Sequence, residues 1–197
     1  MTTIETILAV FLFFSLVGNT FLFFAYRRFK QETLIDPLTG LANRRAFDTV
    51  LWHEIERTRR DDVPITVFLI DLNGFKKVND EHGHAAGDDL LCRFANGLRT
   101  AFPRKVDVVS RWGGDEFAVI LHNLPKDRIA IVLERLFAVL AQVDGASASF
   151  GIITEVGRRG TLSTEEQVRK VIGQVDGALY VAKREKETVR FPYVICE

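Results

Sequence analysis

Cysteine is scarce in this chain, with only Cys92 and Cys196 among 197 residues. Two thiols cannot build a disulfide framework. Cys92 sits in the apolar helical stretch DDLLCRFANGL and Cys196 stands next to the C-terminus, so both read as free thiols of a reducing compartment. A basic surplus is also missing, since 26 Lys and Arg balance 26 Asp and Glu. The first thirty residues carry three of those basic groups and one acid, which leaves 23 against 25 beyond them. Nucleic acid is therefore not an expected partner, because its binders concentrate positive charge in a patch. His82 and His84 have no further Cys or His nearby, too few for a transition-metal site. Internal repeats, low-complexity tracts and long linkers are absent as well.

Charge itself is absent from one stretch. Residues 6–26 contain no Asp, Glu, Lys or Arg, and 21 helical residues extend about 31 Å, the thickness of a bilayer core. The start MTTIE lacks the basic residues of a signal peptide, and the run leads into Tyr26 and Arg27. An uncleaved transmembrane anchor is expected over residues 1–30, followed by one domain over 31–197. Arg27, Arg28 and Lys30 flank the run on one side and Glu5 on the other, which orients the soluble domain toward the cytoplasm. The expectation is a single-pass protein of the cytoplasmic (inner) membrane, in contact with lipid. Ser15, Gly18, Asn19 and Thr20 form a small polar cluster within the run, either a helix-pairing surface or a tolerated polar patch.

What is present lies in two acidic segments. Residues 111–121 read RWGGDEFAVIL, a hairpin pattern in which Gly113 and Gly114 lead into Asp115 and Glu116. The glycines are expected to supply the positive φ values of a tight turn and to let a ligand approach. Adjacent carboxylates there suit Mg²⁺ and a polyphosphate, although a solvated turn reads the same way. In the second segment an apolar run over 63–72 is interrupted by Asp71, then gives way to Asn73, Gly74 and Lys76. Desolvating a carboxylate is costly, so Asp71 is either a metal ligand or the partner of a Lys or Arg.

Hydrophobic periodicity places helices near 43–60, 88–102, 126–142 and 164–186, strands near 65–72, 146–154 and 189–194, and the hairpin over 106–121. This order suits a ferredoxin-like α/β (α+β) sandwich, a central antiparallel sheet with flanking helices.

Five blocks in order, DPLTGLANRRAF from Asp36, DLNGFKKVNDEHGHAAGD from Asp71, GGDEF from Gly113, SFG from Ser149 and VDGALYVAK from Val175, resemble the GGDEF family of diguanylate cyclases. The resemblance covers residues 36–184 and implies the palm fold shared with class III nucleotidyl cyclases. It implies that two GTP molecules are joined into cyclic di-GMP with release of pyrophosphate, with two Mg²⁺ per site (Mn²⁺ as an alternative) and a homodimer that brings two nucleotides together. Asp71, Glu116, Asp115 and the carbonyl of Leu72 match the metal ligands. Asp115 and Glu116 match the catalytic positions, Asp115 as metal ligand or as acceptor of the hydroxyl proton.

Asn79 and Asp88 match the guanine-binding positions; read without the family, one is a cap or turn residue and the other a helix N-cap. Gly74, Phe75, Lys76, Gly113, Gly114 and Lys183 match positions around the phosphates. Arg104 and Asp107 match an inhibitory product site, where a local salt bridge is the ordinary alternative. Three departures stand out. Asn73 replaces a frequent Asp, Lys186 replaces a helix-ending glycine, and Glu187 replaces a phosphate-contacting arginine. A carboxylate at 187 repels triphosphate unless Lys186 or Arg184 substitutes. Two functions follow, a membrane-anchored cyclase and a non-catalytic module that binds GTP or cyclic di-GMP and signals through a partner.

Overall fold

A computed structural model describes residues 11–22, 33–156, 162–186 and 189–196. Residues 11–22 form helix α1, on which every large apolar side chain is exposed, among them Phe11, Phe13, Phe14 and Phe21. Its polar groups are satisfied within the helix, Thr20 Oγ1 donating to the Leu16 carbonyl at 2.7 Å and Asn19 to Ser15 Oγ at 3.4 Å. Among the described residues no helix is long and apolar enough to cross a membrane. The expected span of 6–26 is described only over 11–22, and its basic flank lies outside the described residues.

From Leu34 onward the chain forms a second unit. Its elements are β1 (Ala42–Asn43), α2 (Arg44–Asp61), β2 (Pro64–Leu72), α3 (Phe75–His82), α4 (His84–Ala101), β3 (Val108–Gly113), β4 (Glu116–His122), α5 (Ile129–Leu140), β5 (Ala148–Val156), α6 (Thr164–Ala182) and β6 (Tyr193–Cys196). The sheet order is β1-β3-β4-β2-β5-β6. Its four inner strands are antiparallel, which is the expected palm, while β1 and β6 add parallel edges and make the sheet mixed.

β2 is central, flanked by β4 and β5 and buried on both faces, which is why its sequence is apolar almost throughout. Alternation splits it between two cores. Phe68, Ile70 and Leu72 join Phe94 and Leu98 of α4 and Leu133 and Leu136 of α5, whereas Ile65, Val67 and Leu69 meet Phe47 and Leu51 of α2 and Val171, Val175 and Leu179 of α6. Each such side chain contributes about 1.5–3 kcal/mol by leaving water. The result is a sheet covered by helices on both faces, with strand ends left free to carry polar groups.

Local chemistry sets the element ends. Asn43 caps α2 by accepting from the Ala46 N–H at 3.1 Å, and Ser163 with Glu166 forms a reciprocal capping box on α6. Three expectations need correction. A further helix, α3, precedes the one expected from 88, and α4 itself begins four residues early at His84. β6 begins at Tyr193 and not near 189, because the Arg190 guanidinium and carbonyl are spent on Ala146, Val143 and Ala148 before the strand starts. α6 gives way at Lys183 to a 3-10 turn through Glu185.

Candidate functional site

The strand pairing brings the acids together. In the antiparallel pair β2 and β4, Asp71 stands directly opposite Glu116, a position where Cβ atoms are about 4.5–5.5 Å apart and like charges destabilise a sheet. Asp115 joins them from the hairpin turn, its carbonyl accepting the Leu72 N–H at 3.2 Å. Burial pushes the Asp71 carboxyl above the usual range; Lys183 opposes that shift, and the negative charge of Asp115 adds to it. Lys183 Nζ donates to Asp71 Oδ2 at 2.7 Å. The lysine that the resemblance assigns to phosphate is therefore held on Asp71, the carboxylate it assigns to metal. Among the described residues no three His, Cys, Asp or Glu side chains converge as a ready-made metal cage. Mg²⁺ does not require one, since it binds through one or two carboxylates together with water and substrate phosphates.

The hairpin works differently from the expectation. Neither Gly113 nor Gly114 has a left-handed φ; the ladder slips between Arg111 and Gly113, and Gly113 pairs with Glu116 around a two-residue turn. A Cβ on Gly113 would lie 3.0 Å from Glu116 Oε2, so a side chain there would nudge the Glu116 carboxylate aside. Arg111, which sequence reasoning passed over, clamps this turn. Its Nε and second terminal nitrogen donate to the Gly114 carbonyl at 3.0 and 2.8 Å, and its remaining nitrogen reaches Asp36 at 3.4 Å. Its place immediately before the motif was the available signal. Asp36 in turn accepts from the Thr39 N–H at 2.8 Å and Oγ1 at 2.7 Å.

Gly74 lies at φ 72° and opens α3 without a side-chain cap, so the first peptide N–H groups of that helix, beginning at Phe75 and Lys76, have no intrahelical partner. A helix start of this kind suits anionic phosphate. Asn79 lies inside α3 and Asp88 in the second turn of α4, so neither caps a helix. The bland reading of both is removed. Neither side chain has a hydrogen bond or ion pair among the described residues, and both remain available to a ligand.

Asn73 is spent. Its amide donates to Ser147 Oγ at 3.1 Å and its oxygen accepts from Ser149 Oγ at 2.9 Å, while Ser147 Oγ donates on to the Arg190 carbonyl. An amide fits this chain of donors better than the carboxylate it replaces, because Ser147 then needs its hydrogen for only one partner.

Arg104 and Asp107 meet as expected of a pair, at 3.5 Å, but both also serve His122. Asp107 accepts the His122 N–H at 3.2 Å, and Arg104 donates to the His122 carbonyl at 2.6 Å. Burial raises the Asp107 carboxyl, with the His122 N–H and Arg104 pulling the other way. His82 and His84 form no metal cluster among the described residues. Lys186 adds a positive charge that acts on Asp71, and Glu187 lies outside the described residues.

A family model described as diguanylate cyclase, GGDEF domain, matches residues 33–188. The chain is 36% identical over 163 residues to diguanylate cyclase DgcP of Pseudomonas aeruginosa, covering 79% of this chain and 23% of that protein. It is 31% identical over 159 residues to diguanylate cyclase DgcS of Shewanella oneidensis, covering 80% of this chain and 52% of that one. The chain thus spans about a quarter of the first of these relatives and about half of the second. Among solved structures it resembles the diguanylate cyclase SiaD in complex with its activator SiaC from Pseudomonas aeruginosa, with TM-score 0.72, 27% identity and coverage of 98% of this chain and 72% of that one. It also resembles the GGDEF domain of DgcB from Caulobacter crescentus in complex with c-di-GMP, with TM-score 0.68, 26% identity and coverage of 80% and 92%. The chain belongs to the diguanylate cyclase GGDEF domain family.

Proposed function

We propose that this chain is a diguanylate cyclase that condenses two GTP molecules into cyclic di-GMP. The observation that carries the reading is the Asp71 and Glu116 pair across β2 and β4, set near the uncapped start of α3. Two opposed carboxylates at a strand end repel each other and favour a nearby cation, a place the Lys183 ammonium takes on Asp71 in this structure. In each half-reaction a 3′-hydroxyl oxygen bonds to the α-phosphorus of the other nucleotide, the bond from that phosphorus to the bridging oxygen breaks, and pyrophosphate leaves.

The donors for Mg²⁺, or Mn²⁺ in its place, are Asp71, Glu116, Asp115 and the Leu72 carbonyl, all hard oxygens. When bound, the two ions lower the pKa of the attacking hydroxyl and neutralise phosphate charge. Asp115 either completes the metal ligands or takes the hydroxyl proton. Gly74, Phe75 and Lys76 offer backbone N–H groups to phosphate oxygens, Gly113 and Gly114 leave room beside the turn, and Lys183 exchanges Asp71 for phosphate when the nucleotide arrives. Asn79 and Asp88 read the guanine edge, the amide supplying donor and acceptor and the carboxylate accepting from N–H groups.

Each domain holds one such site, so the reaction requires a two-fold homodimer. The charge-free run over 6–26 supports a single-pass anchor in the inner membrane, in contact with lipid, with the catalytic domain in the cytoplasm. Arg104, half exposed, supports product feedback by cyclic di-GMP. The second reading, a module that binds nucleotide without turning it over, draws its support from Glu187 in place of arginine.

The test is cyclic di-GMP formation from GTP and Mg²⁺ by the detergent-solubilised full chain. Product is expected in the parent, and Glu116→Gln is expected to lower the rate by about a hundredfold or more. No product from a parent that still binds GTP would establish the non-catalytic module.

A further inference from the structure

Gly87 has no role in the site as described, yet it is buried between Asn79 and Asp88. Its backbone is helical and would accept any residue; glycine there weakens the helix relative to alanine. Space is the reason for it. A Cβ on Gly87 would overlap the Asn79 amide oxygen, lie 2.9 Å from Asn79 Cγ and approach Phe75 Cε2 at 3.2 Å. The obstruction is thus the amide head itself, seated in a notch that only glycine leaves. That head and the neighbouring Asp88 carboxylate have no other partner among the described residues.

We propose that Gly87 is a positioning residue for base selection. The notch draws the Asn79 amide against α4 at the level of Asp88, so that amide and carboxylate together meet one edge of a purine with adjacent acceptor and donors. This rests on the nucleotide reading above. A side chain at 87 pushes the amide away from α4 and leaves Asp88 to read the base alone, so affinity for the base falls while the acids of β2 and β4 are untouched.

The test is equilibrium binding of GTP and of 2-aminopurine riboside triphosphate, which lacks the O6 acceptor that the amide donates to, by the detergent-solubilised full chain with Mg²⁺, followed by steady-state kinetics. In Gly87→Ala the preference for GTP over this analogue is expected to fall by about tenfold, with KM for GTP rising and kcat retained. In an Asn79→Ala background, where the notch is empty, adding Gly87→Ala is expected to change affinity by less than about twofold. The double variant also removes the overlap with the amide and leaves only the 3.2 Å approach to Phe75, so it reports even where the single variant unfolds. Unchanged selectivity in Gly87→Ala, or an equally large effect in both backgrounds, overturns the proposal. A parent that binds neither nucleotide overturns the nucleotide reading instead.

Discussion

Asp36 shows how a single side chain outside the acidic cluster supports it. Burial pulls its carboxyl upward, but two hydrogen bonds from Thr39 and the Arg111 guanidinium outweigh that and hold it below the usual carboxylate range. A carboxyl whose folded pKa lies below its unfolded value stabilises the fold above that unfolded value, about 3.9, and loses the effect as pH falls through the folded one. Asp36→Asn is therefore expected to lower the thermal midpoint at neutral pH, with the two curves converging toward about pH 2. Thermal melts across that pH range check it; a gap independent of pH would assign Asp36 a packing role alone. Arg111 also holds the Gly114 carbonyl, so the same variant loosens the hairpin that aims Asp115 and Glu116. Asp36, Asp71, Asp115 and Glu116 were visible as motif letters. That Arg111 ties the first motif to the third was not, because 75 positions separate it from Asp36.

At the scale of elements, the packing of α6 on β5 explains a motif that looks chemical but is steric. A Cβ on Gly151 would drive into the α6 main chain at Val175 and Leu179, lying 2.9 Å from Leu179 Cβ. Main chain cannot rotate away, so Gly151→Ala is expected to destabilise the domain by about 1–3 kcal/mol, measured by urea unfolding. α6 ends one residue before Lys183, and any shift of that helix moves the ammonium relative to Asp71. A proportionate rise in KM for GTP should accompany the lost stability. The helix pair α3 and α4 carries the opposite lesson. The helices expected from the sequence leave out residues 75–82, which form an eight-residue helix with no fully buried residue. Length made α2 and α6 readable and a nearly unbroken apolar run did so for β2, whereas α3 is only eight residues long, with Phe75 and Val78 as its apolar positions.

For the whole molecule, feedback and assembly are the open properties. Arg104 holds the His122 carbonyl at 2.6 Å while remaining half exposed, so binding a product phosphate asks only that it trade one oxygen for another. Arg104→Ala is expected to abolish inhibition by added cyclic di-GMP and leave the initial rate within about twofold; progress curves with and without product decide it, and retained inhibition would move the feedback site elsewhere. Asp107, buried beneath His122, anchors β4 whether or not product binds.

Composition, the spacing of five motifs and the period of apolar residues were sufficient for the α+β sheet with flanking helices and for the family, since each depends on local pattern or on letters in order. Only the folded chain decided that Asp71 faces Glu116, that Lys183 rests on Asp71, that Asn73 is spent on two serines and that Gly87 is a notch for Asn79. Those relations join residues on different elements, and their distances are set by strand register and helix packing, which no local pattern encodes.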